Sequence, residues 1–154
     1  MKTKTLVISL AVWFIAGAIS FAANPQMGTW KLNEAKSKLG NGKAKNSTVV
    51  YQSMPFKVKV TIDGTDAKGQ PMHNESSGKF DGKDYPVTGD PTSDMRSYKK
   101  IDDHAMEFTV KKEGKVTITG RIVVAHDGKS RTVNASGADE KGKKFKTAAV
   151  YDKA

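Results

Sequence analysis

Apolar and polar residues alternate with a period of two through most of this chain, and that pattern narrows its fold more than any other feature. Phe56, Val58, Val60 and Ile62 are separated by Lys57, Lys59 and Thr61. Met106, Phe108 and Val110 are separated by Glu107 and Thr109. Val116, Ile118, Ile122 and Val124 continue the series, with Gly120 on the same face. Phe145, Thr147, Ala149 and Tyr151 form one face of a last run. Successive side chains of a strand point to opposite faces, so each run buries one side and wets the other. Helical spacing nowhere extends beyond two turns; residues 33–39 have room for one.

Turn signals stand between the runs: Asp63-Gly64, Asp81-Gly82, Glu113-Gly114 and Asp127-Gly128, with longer loops at 65–69 and 138–142. Glycine accepts positive φ, which tight hairpins require. The spacing predicts strands over 27–33, 47–53, 56–62, 70–79, 84–88, 95–101, 105–112, 115–125, 129–137 and 144–152. Consecutive strands joined by short turns form an antiparallel meander. A meander this long hides its edges best by closing, so the predicted fold is all-β: a single up-and-down barrel of 8–10 strands with little helix.

The chain also echoes itself. The pattern V-x-x-x-G-x-D-x-K-G occurs at 60–69 and again at 133–142. Either the halves share a structural unit or common hairpin chemistry recurs.

Residues 1–5 carry Lys2 and Lys4 and no acid, 6–19 are almost wholly apolar, and Ser20 and Ala22 are small. This is the layout of a cleavable export signal cut after Ala22. The domain expectation is therefore a signal peptide at 1–22 and one barrel at 23–154, periplasmic or secreted. No second apolar stretch suggests a membrane span. Cysteine is absent, so neither a lipidated cysteine nor a disulfide enters, and stability must come from burial and strand pairing.

Removing Lys2 and Lys4 with the signal takes the formal charge from +10 to +8. The bases are lysines except for Arg96, Arg121 and Arg131. Arginine makes the bidentate contacts that read phosphate and guanine, so scattered lysines argue against specific nucleic-acid recognition. They suit a solvated surface or attraction to anionic envelope polymers.

The residues do not recommend an enzyme. His73, His104 and His126 form no close-spaced pair of the kind that starts a zinc site. No serine lies in a G-x-S-x-G context, and Ser76-Ser77-Gly78-Lys79 lacks the earlier glycine of a phosphate loop. No metal or cofactor is expected.

The ends of the domain resemble a known superfamily. Gly28-Thr29-Trp30 resembles the G-x-W opening of lipocalin and fatty-acid-binding (calycin) barrels, and Tyr151-Asp152-Lys153 resembles the close of fatty-acid-binding chains. The middle, 80–89 with 123–129, is similar to small exported bacterial lipocalin-like proteins without an established function. The resemblance implies a calycin-like barrel with Gly28 and Trp30 at its closed base. The arginine that holds a fatty acid two residues before the closing tyrosine is replaced by Ala149, and 33–47 leave no room for a two-helix lid. Of Arg121 and Arg131, one stacks on Trp30 as in lipocalins, or one faces a cavity and holds an anion. The expectation is a monomeric, non-enzymatic exported protein binding a small apolar or amphipathic ligand, lined by Tyr98, Phe108, Arg121, Arg131 and Tyr151. The alternative is a basic envelope module that binds anionic polymers through its surface.

Overall fold

A computed structural model describes residues 23–41 and 43–154. The export signal read at 1–22 lies outside the described residues. Ten strands follow one another: β1 (Gly28–Leu32), β2 (Lys45–Met54), β3 (Lys57–Thr65), β4 (Pro71–Gly78), β5 (Tyr85–Thr88), β6 (Met95–Lys100), β7 (Ala105–Lys112), β8 (Lys115–Val124), β9 (Ser130–Ala138) and β10 (Lys144–Lys153). Each pairs antiparallel with its sequence neighbours, and β1 pairs with both β2 and β10, so the meander closes into a barrel. Closure leaves no free edge. A single 3-10 turn, Glu34–Lys36, joins β1 to β2, capped by the Asn33 side chain accepting from the Lys36 amide. No helix among the described residues is long and apolar enough to cross a membrane.

The alternating residues point where their period puts them. Val60, Ile62, Met106, Ile122, Val124, Ala149 and Tyr151 are buried with Trp30, Val49, Tyr51 and Tyr98 in one continuous core. Two bulges shift the phase. Between Val110 and Lys111 the register with β8 slips by one residue, leaving Thr117 unpaired. A slip of one turns every later side chain to the other face. Val116, expected inside, is therefore exposed at 55%.

One turn expectation and one strand expectation also need correction. Asp63-Gly64 is not a turn: both residues lie within β3, paired with β2 and β4. A second bulge, between Asn46 and Thr48, brings the neighbouring strand so close that a Cβ on Gly64 would sit 1.8 Å from the Lys45 carbonyl oxygen. The glycine serves close backbone approach rather than chain reversal. Phe56 is not a strand residue but the second residue of the Pro55-Phe56 hairpin tip, with φ of 63° and 92% exposure.

The sequence echo is structural. The β3–β4 and β9–β10 hairpins share one register: Thr65 pairs with Pro71 as Ala138 pairs with Lys144, and Val60 with Ser76 as Val133 with Ala149. Asp66 Oδ1 accepts from the amides of Lys68 and Gln70, and Asp139 Oδ1 from those of Lys141 and Lys143. Gly137 repeats the close approach of Gly64, its Cβ position lying 2.1 Å from the Thr117 carbonyl oxygen.

Candidate functional site

The barrel interior holds two arginines in opposite electrostatic circumstances. Arg131, on β9, is 2% exposed. Its guanidinium carbon lies 4.8 Å from the ring centroids of Trp30 and Tyr51 and 5.1 Å from that of Tyr151. Trp30 is fully buried and fixed: its indole N–H donates to the Gln26 carbonyl at 2.9 Å, and Lys153 covers it at 5.0 Å. The Gln26 side chain in turn donates to the His104 carbonyl at 3.2 Å, tying the segment before β1 to the β6–β7 turn. Gly28 begins β1 with φ of 107°, a conformation that favours glycine. Of the two arginines weighed from sequence, Arg131 is the one that stacks on Trp30.

Three aromatic faces satisfy part of the charge of Arg131. Cation–π contacts stabilise a desolvated cation by up to about 2 kcal/mol each. They do not accept the in-plane N–H groups, and Arg131 Nε and Nη1 have no hydrogen-bond partner among the described residues. No carboxylate there pairs with it. The neighbouring phenols stay neutral: burial pushes the Tyr151 hydroxyl up to about 12, with Arg131 opposing. Burial raises Tyr51 further still, with Tyr98 adding to the shift and Arg131 opposing it.

Arg96, on β6, is the other case. Its side chain is 7% exposed, its Nη1 donates to Asn74 Oδ1 at 3.3 Å, and its Nη2 lies 4.0 Å from Asp90 Oδ2. Burial opposes ionisation of Asp90, but hydrogen bonds from Ser93 and Thr92 outweigh it and hold the carboxyl below its usual range. Sequence reasoning left Arg96 out, though alternation places it on the same face as Tyr98, two residues on.

The other expected lining residues divide. Tyr98, Phe108 and Tyr151 are inside, where Tyr51, Phe80, Tyr98 and Phe108 form a chain of rings with centroids 5.7–6.3 Å apart. Tyr51 and Phe80 belong to this group and were not among the expected ligand-lining residues. Arg121 is not inside: it is exposed on the outer wall, because its neighbour Ile122 takes the inward direction on β8. His104 and His126 face each other with ring centroids 5.3 Å apart. No group of three metal-ligating side chains occurs among the described residues.

Two depressions of about 580 and 540 Å³ lie on the outer wall. Every lining residue comes from β7 to β10 and none from the opposite wall, so they are not the lumen. Register explains them. Phe108, Gly120, Ala135 and Thr147 pair in a row across four strands with side chains inward, leaving backbone as the floor. Rows of outward side chains stand on either side.

No family model matches the sequence, and no curated protein is significantly similar to it. Solved structures similar in fold include a redesigned beta barrel, mFAP1, bound to DFHBI (15% identity, TM-score 0.44), with 86% of this chain and 98% of that chain covered. Another is EF1p2_mFAP2b bound to DFHBI (11% identity, TM-score 0.47), covering 86% and 97%. A third is a redesigned beta barrel, b11L5F_LGL (13% identity, TM-score 0.45), covering 86% and 95%. Likeness at this level concerns chain path, and the closed antiparallel barrel stands on its own strand register.

Proposed function

We propose that the barrel is a non-enzymatic binding protein for a small amphipathic molecule, whose acidic or carbonyl head group is held by Arg131. The observation that carries this reading is the pair of buried, unpartnered N–H groups on Arg131. An ionised group taken out of water without acceptors costs several kcal/mol. Arg96 has an amide and a carboxylate against that cost; Arg131 has only ring faces and neutral phenols. A ligand oxygen would supply the missing acceptor, and Tyr98, Phe108 and Tyr151 would pack against its apolar part. A barrel of eight strands is just wide enough to hold one small ligand, and ten strands enclose more.

Entry is easiest to assign at β5. This strand has four residues and only two register pairs on each side, against nine between β9 and β10. Opening there breaks the fewest backbone hydrogen bonds. The export signal read at 1–22 supports action outside the cytoplasm.

Native mass spectrometry of the protein purified from its own source tests the reading. The expected spectrum shows a small bound mass, lost in Arg131→Met, which keeps the side chain's volume without its N–H groups. Empty wild-type protein, or the same bound mass in folded R131M, overturns it.

A further inference from the structure

The outer wall of β7–β10 carries a second, independent feature. Thr119, Ser136 and Lys146 form a ridge between the two depressions, since Thr119 pairs with Ser136 and Ser136 with Lys146. Arg121 and Asn134, also paired, wall one side, and Lys144 the other. The strands lie about 4.8 Å apart, so the depression beside Arg121 and Asn134, which crosses β7 to β10, runs about 14 Å, and the depression beside Lys144 adjoins it across the ridge. Arg121, Lys144 and Lys146 make no ion pair or side-chain hydrogen bond among the described residues, unlike Lys43, Lys45, Lys59, Lys100 and Lys111, which each have an acid. They differ from other unpaired cations there, such as Lys57, Lys68 and Lys83, in lining one face together. Glu107 is the acid in the lining, opposite Arg121 at the β7 end, and Asp102 is close enough to feel the Arg121 charge. At the β9–β10 end the charged lining residues are Lys144 and Lys146, with Asp139 just beyond them on the hairpin and paired to Lys43.

We propose that these two adjoining depressions form one trough that binds an acidic polysaccharide chain laid over the ridge, with Lys144 and Lys146 on its carboxylate or sulfate groups and Thr119, Ser136 and Asn134 on its hydroxyls. The chemistry selects this class. Single-stranded nucleic acid gains about 1–3 kcal/mol per base from stacking on aromatic rings, but the rings of Phe108 and its neighbours are turned into the barrel. Protein partners are anchored by buried aromatic or aliphatic side chains at the centre of the interface, and the ridge is hydroxyl and lysine. A lipid surface is flat, whereas this face is grooved. A carbohydrate chain fits an open groove that offers hydroxyls, an amide and cations, with Val116 and Phe145 adding an apolar part to the lining.

The test measures binding of the full chain to polygalacturonate, neutral dextran and single-stranded DNA by titration calorimetry at 0.05 M salt. Polygalacturonate is expected to bind and dextran not. Substituting Arg121, Lys144 and Lys146 together by Gln should weaken polygalacturonate binding by about tenfold or more. The same loss of three charges at the exposed Lys57, Lys68 and Lys83 should change it less than about twofold. Thr119→Val with Ser136→Ala, which leaves charge unaltered, should weaken it about threefold through lost hydrogen bonds. Should the trough triple fail to fold, K144Q and K146Q singly carry the same comparison. Equal losses in the two triples, DNA binding as tight as polygalacturonate, or no binding by the wild type would each overturn the proposal.

Discussion

The Arg131 guanidinium lies over the Trp30 ring at 4.8 Å, joining residues 101 positions apart inside the barrel. Trp30 is fully buried and contacts β9 by this stack and the segment before β1 by its indole N–H. Trp30→Ala is expected to lower unfolding free energy by about 3–5 kcal/mol, from lost burial plus the cavity left behind. Denaturant titration measures it. A loss under about 1 kcal/mol would show that the Trp30 contacts do not hold the barrel together.

Gly64 and Gly137 predict a matched pair of effects. A Cβ at either would overlap a neighbouring carbonyl oxygen, at 1.8 and 2.1 Å. Ala at each should destabilise by more than about 2 kcal/mol, because backbone must shift. Gly142, with φ of 76° and open space around it, should lose only about 1 kcal/mol on the same change. Equal costs at all three positions would remove the close-approach explanation.

Phe56 predicts a gain. A bulky residue at φ of 63° is strained, and at 92% exposure its ring has little packing to lose. Phe56→Gly should stabilise the fold by about 1 kcal/mol. A drop in melting temperature would contradict this.

Alkaline stability follows from the buried phenols. The Tyr151 hydroxyl is raised to about 12 in the folded state against about 10 when unfolded. The native state therefore holds its proton where the unfolded chain releases it. This contribution is complete below pH 10 and is lost as pH rises to about 12, at about 1.4 kcal/mol per pH unit. Tyr51, raised further, keeps the slope going beyond that window. Denaturation midpoints between pH 9 and 12 should fall more gently in Tyr151→Phe. An unchanged slope would show that Tyr151 ionises freely in the native barrel.

Alternation together with the turn signals predicted 8–10 strands and ten form, because a closed sheet with one wet face imposes period two on its strands. It also orients side chains wherever no bulge intervenes: Arg131 shares the face of Val133, while Arg121 opposes Ile122. The bulges at 47 and 117 were not legible, since each adds a single residue whose place depends on the partner strand. Asp63-Gly64 misled for the same reason, as glycine answers both a turn and a close neighbour.

What only the tertiary structure decided is which groups meet across the barrel. The sequence determined that an arginine stands on an inward face; folding determined that Arg96 meets Asn74 and Asp90 while Arg131 meets Trp30, Tyr51 and Tyr151. Local spacing fixes the direction of a side chain, because that depends on its own backbone. The energy of a buried charge depends on residues far away in the chain, which only closure of the sheet brings within reach.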